Sequence, residues 1–105
     1  DAQNLKVVIM KLRNAHNLDA TSCMALEELI RYMNERDRIL LVSEARPDTM
    51  RILEKSGLID IINPINLFAD EESNPTLSTA KALKRAKVIL GDREAKVSIY
   101  AKDKR

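Results

Sequence analysis

Asn17-Leu18-Asp19-Ala20-Thr21-Ser22-Cys23 divides two kinds of hydrophobic pattern. Before it, residues 5–12 are almost continuously apolar; after it, from about Met24, apolar residues recur at helical spacing. A continuous apolar run of that length suits a strand covered on both faces, as parallel strands in α/β domains are. Asp19, Thr21 and Ser22 each carry a side-chain oxygen able to accept from the free backbone N–H groups of a helix start. Strand, turn, helix is the expected order, with the first strand central in the sheet of a small α/β domain.

Downstream, Leu26, Leu29, Ile30 and Met33 fall at i, i+3, i+4 and i+7, one face of a helix over 21–36, with Glu27 and Arg31 four apart on its outside. Arg38-Ile39-Leu40-Leu41-Val42-Ser43 is a second short apolar run, closed by Arg46-Pro47-Asp48. Pro47 suits the first position of a helix, where its missing N–H loses nothing. That helix, over 47–56, is expected to stop at Gly57 in a left-handed cap that sets Leu58 against Leu53. Right-handed crossovers then place the two strands parallel in one sheet.

Residues 58–62 are apolar and closed by Asn63-Pro64, which fits either a helical turn or a loop tucked onto the core. Residues 65–69 are a candidate third strand. The polar stretch 70–75 is a surface connection whose acids lie just ahead of another helix, where the helix dipole favours negative charge. The last helix is expected from Pro75 or Ser78 to Leu90, ending at Gly91, with Leu83, Ala86 and Leu90 inward and Ala82 and Ile89 beside them. Beyond it Val97, Ile99 and Ala101 alternate with Lys96, Ser98, Tyr100 and Lys102, the pattern of a late edge strand. The expected division is a domain over 1–91 and a tail over 92–105, without internal repeats.

At 105 residues the chain has the size of one domain that can bury a core without staples. Only Tyr32, Phe68 and Tyr100 are aromatic, so the core is expected to be aliphatic and stacking platforms for single-stranded nucleic acid are not expected. Lys and Arg (18) nearly balance Asp and Glu (16), which argues against a duplex-binding protein; no nucleic-acid partner is expected. Cys23 has no second cysteine to pair with, and His16 is the only histidine, so the usual structural zinc sets cannot be assembled. A reducing, cytosolic setting is the simplest reading. The chain opens at Asp1 without a methionine, which reads as a piece of something longer.

Two groups stand out as candidate sites. The turn of Asp19, Thr21 and Ser22 is a candidate regulatory site, since a phosphate on Thr21 would bring about 1.5–2 negative charges to a helix start; plain capping is its ordinary reading. Lys81, Lys84 and Arg85, with Lys87 nearby, give the last helix a basic face suited to anionic lipid headgroups or an acidic protein, against the ordinary reading of a solvated face. His16 has the setting of an exposed loop histidine, and Cys23 that of an inert core thiol. Two glycines, no Gly-rich phosphate loop, no nucleophile elbow and no metal cluster leave an enzyme, or a nucleotide-binding regulator, the least supported class. No cofactor is expected.

Val7-Val8-Ile9-Met10, Asn17 through Ser22, and Ala25-Leu26-Glu27-Glu28-Leu29 together resemble the middle of a STAS domain (sulfate transporter and anti-sigma factor antagonist). In that family a buried strand leads to an Asp-Ser/Ala-Ser/Thr-Gly turn and a helix. Ile39-Leu40-Leu41-Val42, Arg46-Pro47 through Lys55-Ser56-Gly57-Leu58, and Phe68 also resemble the family, so the likeness spans about residues 5–90. It departs at Ser22, which stands in the place of the motif's glycine, and at Lys11, where the family often has an acid. The resemblance implies a sheet of mostly parallel strands with helices packed against it, lacking the family's first strands before Asp1.

Leu18-Asp19-Ala20-Thr21 and Asn74-Pro75-Thr76-Leu77-Ser78-Thr79 are most similar to the cytosolic tail domains of SulP-type anion transporters, nearest the sodium-dependent bicarbonate transporters of cyanobacteria. This implies a non-enzymatic regulatory or dimerisation domain at the cytoplasmic side of the inner membrane, with transport in a separate membrane domain of the same protein. The missing first strands would leave an open sheet edge. The tail strand is expected to cover it from its own chain or, by exchange, from a second copy in a homodimer. The alternative implied by the family is a free-standing anti-sigma factor antagonist switched by phosphorylation at Thr21.

Overall fold

A computed structural model describes residues 6–13, 18–71, 73–74, 76–91 and 97–101. Leu5, His16, Asn17, Pro75 as an expected start of the last helix, and the flanks of the tail strand lie outside these residues. The elements run β1 (Lys6–Lys11), α1 (Ala20–Asn34), β2 (Arg38–Ala45), α2 (Pro47–Ser56), α3 (Leu58–Ile62), a 3-10 turn (Pro64–Asn66), β3 (Leu67–Ala69), α4 (Leu77–Leu90) and β4 (Val97–Ala101). The four strands form one sheet in the order β3-β2-β1-β4, every pair parallel.

Central β1 explains the near-continuous apolar run. Its alternate side chains feed two separate cores, because successive residues of a strand point to opposite faces. Val7 and Ile9 join Leu41 of β2 and Ala82, Ala86 and Leu90 of α4 on one face. Met10 and Leu12 join Leu26, Ile30 and Met33 of α1, with Leu53, Leu58 and Ile62, on the other. Each core is aliphatic, as expected from the scarcity of rings; Phe68 only packs against the α4 side.

Several expectations need correction. Leu29 completes the helical pattern of α1 on paper, yet it is 41 % exposed, and the buried stripe is Leu26, Ile30 and Met33. Helix α1 starts at Ala20 and ends at Asn34, two residues before the expected stop, where Asp37 at φ 58° reverses the chain. Asp tolerates this left-handed conformation better than most residues. Strand β2 runs on through Glu44 to Ala45. Residues 58–62 are a short helix, and the third strand shrinks to Leu67–Ala69 because Pro64 opens a 3-10 turn capped by Asn63. In α4 the buried positions are Ser78, Ala82, Ala86 and Leu90, with Leu83 and Ile89 at the margins. Small residues at three of these four sites let the helix lie close on the sheet.

The break between α2 and α3 falls where the sequence places it. Arg46 is extended, as a residue before proline tends to be, and Pro47 opens α2. Gly57 closes it at φ 83°, and Leu53 and Leu58 on either side are buried in the same core. A Cβ at Gly57 would touch nothing within 4 Å, so the glycine is needed for its backbone angle and not for space. Gly57→Ala is therefore expected to cost about 1 kcal/mol, the price of the left-handed backbone alone, in urea unfolding with an unchanged m-value.

Candidate functional site

The Asp19 turn lies past the C-terminal end of β1. Asp19 is extended (φ −88°, ψ −178°) and its Oδ1 accepts the Ser22 amide at 2.8 Å, while its carbonyl accepts the Cys23 amide at 2.9 Å. Asp19 alone acts as the side-chain cap of α1. Thr21 is exposed on the first turn, and Ser22 is half-buried with its amide taken by Asp19. The Ser22 amide, and after it the Ser22 hydroxyl, hold the Asp19 carboxyl below the usual carboxylate range. A charged carboxylate thus already answers the positive end of α1 beside Thr21, and a phosphate there would meet a like charge.

A second polar cluster, not foreseen from the sequence, closes the same edge of the sheet. Glu44 is 5 % exposed and sits at φ 58°, a left-handed angle that costs a non-glycine residue of the order of 1–2 kcal/mol. The β2–β3 register shifts between Val42 and Ala45, so both of these face the α1 core although three residues apart. A bulge absorbs the extra residue and turns Ser43 and Glu44 together toward α4.

There the Glu44 carboxylate accepts from Arg13 Nε at 3.1 Å and from the Thr79 hydroxyl at 2.7 Å, with Lys11 Nζ at 3.6 Å. Thr79 Oγ1, spending its proton on Glu44, accepts from the fully buried Ser43 hydroxyl at 2.9 Å. The Glu44 amide donates to Ser78 Oγ at 3.0 Å. Arg13 also grips Asp70 with two parallel bonds, 2.6 and 3.2 Å.

The cluster sits at the carboxyl ends of β1, β2 and β3. Strand β2 leads to α2 on one face of the sheet and β3 leads to α4 on the other. Arg13, just after β1, joins Glu44 of β2 to Asp70 after β3, and Ser78 and Thr79 join Glu44 to the start of α4. Among the described residues every buried side-chain nitrogen and oxygen has a partner, so the network is complete as it stands. Its sequence signal was weak: a Glu at the end of an apolar run and an Arg after another, with no glycine to announce the positive angle.

The two groups singled out in the sequence lie on opposite sides of the sheet, since α1 packs on one face and α4 on the other. Of the basic residues on α4, Lys81 lies 3.4 Å from Glu71, Arg85 is half-buried and donates to the buried Asn66 Oδ1 at 3.0 Å, and Lys84 and Lys87 are exposed. Cys23 is half-buried beside the α1 core. His16 lies outside the described residues. The family model of the STAS domain matches residues 1–74, which take in β1, the Asp19 turn and all elements through β3. No curated protein matches the chain.

Because the Asp19 carboxyl is depressed in the folded protein, its stabilising effect is present above the unfolded value and lost as pH falls through the lower folded value. Asp19→Asn, which caps without titrating, should keep the neutral-pH melting temperature and flatten its decline below about pH 4. For Glu44, glycine relieves the backbone but strips the cluster. Glu44→Gly is expected to destabilise the protein by roughly 2–4 kcal/mol, and to become near neutral or stabilising when Lys11 and Arg13 are already Gln. Denaturant curves of the single and combined variants read this change directly.

Proposed function

The chain belongs to the STAS domain family, and on that premise we propose that it is the cytosolic regulatory and dimerisation domain of a SulP-type membrane anion transporter. Sodium-dependent bicarbonate uptake is the narrower reading. Domains of this family regulate or bind and are generally not catalytic. In the proposed role ions pass through a separate membrane domain; among the described residues no helix is long and apolar enough to cross a bilayer.

The observation that carries the transporter reading is the segment leading into α4. Asn74 through Thr79 carries the resemblance to SulP tail domains on which we base the reading, and Ser78 and Thr79 from that segment hold Glu44 at the sheet edge. The segment is therefore a built part of this fold. Ser22 in place of the motif's glycine, and an Asp19 carboxylate that already occupies the end of α1, weigh against a phosphate on Thr21. The exposure of Thr21 is what favours the second reading, a free-standing anti-sigma factor antagonist switched at that residue.

The proposed dimerisation by exchange would use the place that β4 holds beside β1 of its own chain. Strand β4 pairs with β1 in register Val7 to Val97 and Ile9 to Ile99, and the same strand of a second copy can make the same pairs. Light scattering at tens of micromolar is expected to give twice the chain mass, and deletion of 92–105 to give one. A mass of one chain for the intact protein removes the dimer. Incubation with a cognate antagonist kinase is expected to leave the mass of the chain unchanged; a phosphate on Thr21 would move the assignment to the antagonist. Many apolar spans encoded directly upstream of Asp1 are the expected genetic setting.

A further inference from the structure

Helix α4 carries Lys81, Lys84, Arg85 and Lys87 and no acidic residue, while the whole chain has a formal charge of +2, so the rest of the chain is net acidic. The charge is also directional. Ala82 and Ala86 lie on the buried stripe, and Lys84, two residues from each, is about 200° around the helix from both, at the middle of the outward face. Lys81, Lys87 and Val88 flank it, and Val88 is 69 % exposed. Arg85 belongs to the margin, turned to Asn66.

The Lys81 contact with Glu71 is made by exposed side chains and competes weakly with other anions. Among the described residues α4 is the only helix on its side of the sheet, so this face is not shielded by a neighbouring helix.

From this geometry we propose that the outward face of α4 docks on anionic lipid headgroups, with Lys81, Lys84 and Lys87 on the phosphates and Val88 at the acyl boundary. The proposal rests on the transporter reading, in which the domain is tethered beside the bilayer and a modest affinity acts at high effective concentration. An acidic protein surface would satisfy the lysines and leave Val88 without an apolar partner. A lipid interface takes both, since lysine stems lie along apolar surface while their ammonium groups stay at headgroup level.

The test is sedimentation of the purified chain with phosphatidylcholine vesicles containing phosphatidylserine, against phosphatidylcholine alone, at low salt and at about 0.15 M. The expected result is binding to the anionic vesicles only, weakened by salt and by roughly fivefold for each of Lys81→Gln, Lys84→Gln and Lys87→Gln. Val88→Gln should weaken vesicle binding and leave retention on immobilised polyglutamate unchanged. All four side chains are exposed, so unchanged melting temperatures are expected and serve as the folding control. Equal binding to both vesicles, or full binding by the triple lysine variant, overturns the proposal. So does polyglutamate retention with no vesicle binding, which gives the face to an acidic protein. The transporter reading is judged separately, by oligomeric mass, kinase response and upstream coding sequence.

Discussion

Burial of β1 on both faces is the constraint from which the rest of the molecule follows. A strand that is apolar at nearly every position cannot face water, so it must have helices above and below it and strands on either side. The chain supplies α1 with α2 and α3 on one face, α4 on the other, and β2 and β4 as neighbours. Parallel pairing then gathers the ends of β1, β2 and β3 at one rim. Arg13, Glu44 and Asp70 meet there because the topology brings their segments out at the same rim.

At that rim the energetics are those of nearly buried charge. Two nearly buried acids would repel each other, and each would be costly to desolvate alone. One guanidinium answers both, and Lys11 and the Thr79 hydroxyl complete the shell around Glu44. The strain at Glu44 is tolerated because its carboxylate, once placed, is held from three directions. The result is a charged cluster in which, among the described residues, every buried side-chain nitrogen and oxygen has a partner.

The elements of the fold were largely legible in the sequence, because each is announced by a local rule. The apolar run of β1, the Asp19 cap, Pro47 at the start of α2 and Gly57 at its end all follow from interactions within a few residues. Failures occurred where distant partners decide. Leu29 fits the helical period as well as Ile30 does, and only the position of the sheet puts one inside and the other in water. Ser78 reads as a plain helix-start residue until the Glu44 amide is found beside it. The bulge was invisible because its positive angle falls on Glu44, a residue that gives no sign of it. At the Asp19 turn the sequence offered three possible caps and geometry selected one; for α4 it grouped three cations, and packing drew Arg85 aside.

The pairing of Val7 with Val97 has a consequence for the chain as it is made. During vectorial synthesis β4 follows its neighbour β1 some ninety residues later, an interval on the order of five to twenty seconds at ordinary translation rates. Throughout that interval one side of the most apolar strand has no native partner in its own nascent chain. A product truncated after α4 would therefore present a bare β1 flank that quality-control proteases and chaperones are suited to find.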